Sequence, residues 1–177
     1  MDNELIKEAL SYALGSDLHE AWRAPRKLDD GTYEPRMKKS KDEKWTAMHG
    51  TDDVDIANCS FEELPSNWQY ENLEAARVVI NLVYDKTISG KKISPEEMEL
   101  FAATVHEEWL KRNDWVYSPE YGNPELAVSY ENLSSEEQDK DKAQIQPAVE
   151  KVQAYMDGLI NVEEICEKYG IVRGQIK

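Results

Sequence analysis

The tetrapeptides His19-Glu20-Ala21-Trp22 and His106-Glu107-Glu108-Trp109 place one signature, His-Glu-x-Trp, in each half of this chain. Histidine and tryptophan occur only three and five times among the 177 residues, so chance repetition is a poor explanation. A second shared pattern, Ser-aromatic-Glu-x-Leu, follows each copy after a loop, as SFEEL at 60–64 and SYENL at 129–133. The repeated order indicates an internal duplication, which usually builds one pseudo-symmetric domain.

Helix signals dominate the rest of the sequence. Apolar residues recur at helical spacing over 3–14, where Gly15 is expected to end the helix, and a short second helix limited by Pro25 should carry the first His-Glu-x-Trp. Capping boxes at Ser94 and Ser134 predict two further helix starts. We expect Pro147 to kink or break the helix that begins at Ser134. Later helices are therefore predicted at 66–85, 94–112, 134–145, 147–159 and 162–169.

These elements predict a mainly α fold, or an α+β fold with short strands at 32–33 and 54–56. We expect one domain over residues 1–177. Its two helix–loop–helix halves, about 3–85 and 94–160, should be related by a pseudo-twofold axis, and the short C-terminal helix at 162–169 should follow them.

Charge and cysteine content limit the class of protein. The net charge of −15 would repel a polynucleotide, so nucleic-acid binding is not expected. No apolar run is long enough to cross a bilayer, and no membrane partner is expected. The two cysteines, Cys59 and Cys166, have no motif spacing, which favours reduced thiols and a cytoplasmic location.

The basic residues are concentrated in one loop. Eight lysines and arginines lie between Arg23 and Lys44, against five acidic residues, in an otherwise acidic chain. Arginine binds phosphate or carboxylate in bidentate fashion, and aromatic rings can stack on a base. The candidate ligand-binding residues are Trp22, Arg23, Arg26, Tyr33, Arg36, Lys38, Trp45 and Trp68. In the alternative interpretation the loop is simply solvated, with Arg23 and Arg36 paired to acids such as Glu20 and Asp55.

No catalytic or metal site is predicted. A zinc site of the HExxH type needs a second histidine one turn later, and Arg23 and Leu110 occupy those positions. The sequence contains no nucleophile elbow and no glycine-rich phosphate loop. We therefore expect no enzyme activity and no cofactor. The tryptophans of His-Glu-x-Trp should pack on the core, while the histidines bond to backbone and hold the loops that follow.

The second half resembles the repeat domains of ryanodine receptors. The resemblance lies in His106-Glu107-Glu108-Trp109, then Trp115-Val116-Tyr117, then SYENL at 129–133, over roughly 94–160, and a degenerate version covers 3–85. The glycines that flank Trp-x-Tyr in the channel repeats are absent here, where Asp114 and Ser118 stand instead. The first half also resembles bacterial and phage proteins with a succession of W-R-x-x-R, P-R-x-K and D-I-A-N, which here is Trp22-Arg23 with Arg26, then Pro35-Arg36-Met37-Lys38, then Asp55-Ile56-Ala57-Asn58. The resemblance implies a fold and, by analogy, the binding of nucleotide-derived signals.

The expected function is non-catalytic binding of a small anion such as a nucleotide derivative, by a sensor or sequestering protein. The alternative is an acidic protein–protein interaction module, with another protein or a second copy of the chain as partner. A weaker third alternative is a protein that mimics a polynucleotide, but no phosphate-like rows of acids are visible in the sequence.

Overall fold

The computed structural model describes residues 2–176, so Met1 and Lys177, the two ends of the predicted domain, lie outside the described residues. Helices dominate this part of the chain, and the prediction of a mainly α fold is confirmed. The α-helices are α1 (Asn3–Arg23), α2 (Glu43–His49), α3 (Ser66–Ile88), α4 (Pro95–Arg112), α5 (Ser135–Lys142), α6 (Ile145–Met156) and α7 (Val162–Tyr169).

Two short strands, β1 (Met37–Lys39) and β2 (Asp53–Asp55), form an antiparallel pair inside the first long loop. The central partners of this pair are Lys38 and Val54. The strand predicted at 54–56 is therefore present, shifted by one residue. The strand predicted at 32–33 is wrong, because Tyr33 makes only a single bridge, to Lys27.

The predicted helix end at Gly15 is wrong, since α1 continues to Arg23. Gly15 is buried inside the helix, and a Cβ atom there would lie 3.5 Å from the backbone oxygen of Asn72 and from the Phe61 ring. These are ordinary van der Waals distances, so Gly15 lies at the contact between α1 and α3. Burial of α1 on both sides of Gly15, at Leu14 and at His19, keeps the helix continuous and outweighs the local rule that glycine ends a helix.

The chain breaks before Pro147 rather than at it. Helix α5 ends at Lys142 and α6 begins at Ile145, so the helix predicted over 134–145 was too long. Pro147 lies in the first turn of α6. In a first turn the missing N–H costs nothing, because that donor has no intrahelical acceptor. The helix starts predicted at Ser94 and Ser134 are confirmed, since these side chains accept hydrogen bonds from Glu97 N and Glu137 N. The separate short helix predicted to carry the first His-Glu-x-Trp is wrong, because that signature lies in the last turns of α1.

The main core lies between α1, α3, α4 and α6, and α7 closes one side of it. Its buried side chains come from all four helices and include Leu10, Leu14, Ile80, Val83, Val105, Ile145 and Val152. Two smaller clusters lie under the Ser-aromatic-Glu-x-Leu motifs. Phe61 and Leu64 anchor the first and Tyr130 and Leu133 the second.

Both Ser-aromatic-Glu-x-Leu motifs fold in the same way. Each forms a single 3₁₀ turn, at Phe61–Glu63 and at Tyr130–Asn132. A glutamine eight residues after each aromatic donates its side-chain N–H to the aromatic residue's carbonyl. Gln69 bonds to Phe61 and Gln138 to Tyr130, both at 2.9 Å. The two motifs are thus equivalent in local structure, while the pseudo-twofold axis stays a prediction.

The two histidines of His-Glu-x-Trp hold the following loops, as the sequence predicts. His19 Nε2 lies 2.8 Å from the carbonyl oxygen of Cys59, and His106 Nε2 lies 2.7 Å from that of Val128. Both imidazoles are 3% exposed, and each bond joins the end of a helix to the residue two places before the motif aromatic. The histidines are therefore structural clamps at equivalent positions.

The tryptophans of the two signatures stack on their histidines, with ring centroids 5.8 Å apart in the first half and 6.1 Å in the second. The prediction that both pack on the core is wrong for Trp22, which is 37% exposed and lies beside the long loop. Trp109 is half-buried. Within residues 2–176, no helix has the length and apolar character needed to span a bilayer.

Candidate functional site

The loop between α1 and α3 is braced by two side chains of its returning segment. Asn58 receives the Tyr33 N–H on its side-chain oxygen and donates to the Tyr33 carbonyl, both at 2.9 Å. Asp55 accepts the Arg36 N–H at 2.9 Å. The Glu34 N–H donates to the Arg26 carbonyl at 2.8 Å. These bonds place Arg26 beside the segment that leads to Arg36 and give the loop a defined frame.

Two arginines of this loop lie against aromatic rings. The Arg23 guanidinium is centred 4.0 Å from the Tyr33 ring, and the Arg26 guanidinium 4.5 Å from the Trp22 ring. Such contacts fix the planes of the guanidinium groups. The Arg23 side chain is mostly buried and pairs with Glu20 at 3.0 Å, while its Nε has no hydrogen-bond acceptor within residues 2–176. The alternative prediction for Arg23, pairing with Glu20, is confirmed.

The start of α3 forms the other side of the loop. The Trp68 indole N–H donates to the Lys39 carbonyl at 3.0 Å, and the Lys38 ammonium lies 5.5 Å from the Trp68 ring. Trp68 thereby ties β1 to the first turn of α3. Lys38 keeps its charge at the surface, over an aromatic face.

Trp45 is separate in environment from the arginines. Its indole N–H donates to the Glu63 carbonyl at 2.9 Å, and its ring stacks on His49 with centroids 3.9 Å apart. The hollow beside it is lined by Asp42, Glu62 and Glu63 as well as Lys44. These carboxylates would repel an anion. Of the predicted ligand-binding residues, Trp45 is therefore the one whose surroundings do not suit an anionic ligand.

The positive charges of the chain that lack a carboxylate partner are concentrated in this loop. In residues 2–176, the lysines and arginines with no carboxylate within 4.0 Å are Arg26, Lys27, Arg36, Lys38, Lys41, Lys44, Lys91 and Lys92. All but Lys91 and Lys92 lie between residues 26 and 44. The expected pairing of Arg36 with Asp55 runs through the Arg36 backbone N–H, so its guanidinium has no such partner.

Asp55 is a structural carboxylate rather than a candidate ligand group. Its partial burial opposes ionisation, but hydrogen bonds from the Arg36 backbone, the Asn58 side chain and the Ala57 backbone outweigh this effect and lower its pKa below the ordinary value. Asp55 therefore stays ionised and holds the segment around Arg36 in place.

The structure also contains a cavity in the second half that the sequence reasoning missed. It is about 200 Å³ in volume and lies between the end of α4 and α5, with His106, Trp109, Glu137 and Asp141 in its wall. The sequence does contain a signal for it. Gln69 and Gln138 each follow the aromatic residue of their motif by eight positions, and aligning the halves on them places Asp141 opposite Asn72 and Glu137 opposite Trp68. Both carboxylates are therefore specific to the second half.

A neighbouring cavity of about 220 Å³ lies between α3 and α4. It shares Trp109 and Gln144 with the second-half cavity. Arg112 at its edge bonds to Glu71 through two nitrogens, at 3.2 and 3.3 Å, so its charge is already compensated. This cavity is thus less suited to an anion than the 26–44 loop.

No metal centre is formed among residues 2–176, because no three histidine, cysteine or acidic side chains converge there. Comparison of the chain with protein-family models, with curated proteins and with solved structures finds no match. The chemistry of the site must therefore be inferred from its own residues.

Proposed function

We propose that this protein binds a small anionic ligand of the nucleotide class, without catalysis, on the loop at 22–45 and the start of α3. The observation that carries the proposal is the group of cations without carboxylate partners, Arg26, Arg36 and Lys38, in a chain of net charge −15. With so many acids present, an arginine left free beside aromatic rings favours an external anion as partner.

The surroundings of these cations suit a phosphorylated base. Bonds to Asn58 and Asp55 hold the loop, so little ordering entropy is lost on binding. The indole of Trp22, 37% exposed, offers surface for stacking beside the Arg26 guanidinium. The resemblance to ryanodine-receptor repeats and to bacterial and phage proteins of that type agrees with this proposal. A sensor or a sequestering protein, located in the cytoplasm, fits the two free cysteines.

The test is thermal unfolding against ADP-ribose derivatives, cyclic nucleotides and cyclic dinucleotides. A ligand present at a hundred times its dissociation constant adds about 2.7 kcal/mol, which raises the midpoint by several degrees. Arg36→Ala should abolish the shift without lowering the midpoint of the free protein, because this guanidinium has no internal partner. Lys91→Ala, which removes another free cation outside the loop, should leave the shift intact. No shift with any compound, or an equal loss in both variants, contradicts the proposal.

A second candidate function, a protein interaction module, is favoured by one observation. Trp115, Tyr117 and Tyr121 are 42%, 58% and 70% exposed on the loop after α4, among exposed acids. Exposed aromatics are enriched at protein interfaces. Under this alternative, partner binding should be lost in a Tyr117→Ala, Tyr121→Ala double variant, should weaken with salt and should be indifferent to Arg36→Ala.

A further inference from the structure

The second-half cavity has an acidic and aromatic wall. His106, Trp109, Glu137 and Asp141 line it together with two leucines, Leu126 and Leu133. Its volume of about 200 Å³ is below the range of about 300–1,000 Å³ that is usual for sites of drug-sized ligands. It therefore suits a small head group rather than a whole nucleotide.

The protonation of His106 follows from its contacts. A carbonyl oxygen only accepts hydrogen bonds, so Nε2, 2.7 Å from the Val128 oxygen, must carry a proton. The other nitrogen, Nδ1, faces Asp141 Oδ2 at 3.5 Å. This separation is longer than the roughly 2.7–3.2 Å of an ordinary hydrogen bond. The contact with His106 therefore leaves most of the hydrogen-bonding capacity of the Asp141 carboxylate unused.

Asp141 is a carboxylate short of partners. Its side chain is 13% exposed, and within residues 2–176 it has no hydrogen bond from any side chain or backbone N–H. Burial is the main cause that raises the pKa of Asp141 to about 6; the nearby His106 opposes this rise, and Glu137 adds to it. The group is therefore mostly ionised at neutral pH, in a place where its charge is poorly solvated. A ligand that brings donors and positive charge would relieve this cost.

The first half shows that the acidic wall is not required by the fold. Asn72 and Trp68 occupy the positions equivalent to Asp141 and Glu137, and the first half nevertheless forms the same histidine clamp and the same glutamine bond. The repeat therefore folds without carboxylates at these two positions.

We propose that the second-half cavity binds a guanidinium group, with Asp141 and Glu137 accepting its N–H donors and the Trp109 indole in its wall. A guanidinium is planar, carries five donors and interacts favourably with aromatic faces. Glu137 lies at the rim, where Lys140 already contacts it at 2.5 Å, so Asp141 supplies the main charge for the ligand. The guanidinium belongs either to a free small molecule or to an arginine side chain of a protein partner.

The test is calorimetric titration at pH 7.5 with N-methylguanidine and with N-acetyl-arginine N′-methylamide. N-methylurea, which is planar but neutral, is the control ligand. Binding of either guanidinium compound with at least tenfold weaker binding of N-methylurea supports the proposal. Tenfold tighter binding of the arginine derivative than of N-methylguanidine identifies a protein arginine as the source, whereas equal binding identifies a free ligand.

Two variants make the test specific. Asp141→Asn installs the amide found in the first half and should weaken guanidinium binding at least tenfold. Asp139→Asn makes the same chemical change on the same helix, at a side chain that is 75% exposed and outside the cavity wall, and should leave binding unchanged. The proposal is overturned if neither guanidinium compound binds, or if folded Asp141→Asn, verified by its thermal midpoint, binds as well as the native protein.

Discussion

Replacing Asp141 by asparagine should make the protein more stable at alkaline pH while it weakens guanidinium binding. The pKa of Asp141 in the folded protein is about 6, against 3.8 in the unfolded chain. Because the folded value is the higher one, protonated Asp141 favours folding. This contribution is present below about pH 4 and is lost as the pH rises through 6. Above pH 7 the native protein therefore holds an ionised carboxylate at a cost that asparagine avoids.

The size of the effect follows from the two pKa values. Their difference corresponds to about 3 kcal/mol at pH 8, which is an upper figure because His106 and the cavity can adjust. At pH 5 the loss of stability that is due to ionised Asp141 has reached about half of this value. The advantage of Asp141→Asn should therefore grow by roughly 1 kcal/mol between pH 5 and pH 8. Imidazole Nδ1 can also accept a hydrogen bond from the asparagine amide, so no buried acceptor is left unsatisfied.

The assay is urea unfolding of the native protein, Asp141→Asn and Asp139→Asn at pH 5 and pH 8. The free energies of unfolding of the native protein and Asp139→Asn should agree within about 0.5 kcal/mol at both pH values, since Asp139 is exposed. If Asp141→Asn is less stable than the native protein at pH 8, or if its stability difference is the same at both pH values, then the carboxylate is not strained by burial and the reasoning fails.

Three further outcomes are expected. His19→Ala and His106→Ala should each lower the free energy of unfolding by about 1–3 kcal/mol, because each leaves a loop carbonyl, that of Cys59 or of Val128, without its hydrogen bond. His49→Ala, at an exposed position, should lower it clearly less, and equal losses in all three variants would contradict the clamp role. Gly122→Ala should disorder the loop after α4, since its Cβ would come within 3 Å of three backbone atoms, and unchanged Trp115 fluorescence and hydrogen exchange would disprove this. The Cys59 thiol, whose pKa burial raises, should react with a disulfide reagent at pH 7 at least tenfold more slowly than in urea.

The helix starts could be read from the sequence because capping is a local interaction. Ser94 and Ser134 each accept a hydrogen bond from an N–H three residues away, and those bonds are present in the structure. Asn161 caps α7 in the same way, and Gly170 ends it in the left-handed conformation that favours glycine. Signals that act within one helical turn need no knowledge of the rest of the fold.

The errors in the fold prediction have the opposite cause. Gly15 has the local character of a helix end, but it is buried in the middle of α1 beside Asn72 and Phe61, which are far away in sequence. Pro147 interrupts nothing because the chain had already turned at 143–144. In both cases the local rule was sound, and packing between separate elements determined which of its outcomes occurred.

The candidate site also has some features that the sequence predicts and others that only the tertiary structure decides. Composition alone points to a basic, aromatic loop in an acidic chain, and the repeated signature alone predicts that His19 and His106 hold loops. Which arginine lies on which ring, which cations remain without a carboxylate, and where Asp141 lies depend on distances in space. The pairs concerned are separated by very different lengths of chain, from 4 positions for Arg26 and Trp22 to 134 for Lys151 and Asp17. Those distances are set by how helices pack, because side-chain pairing acts over a few ångströms in space and is not encoded by separation along the chain.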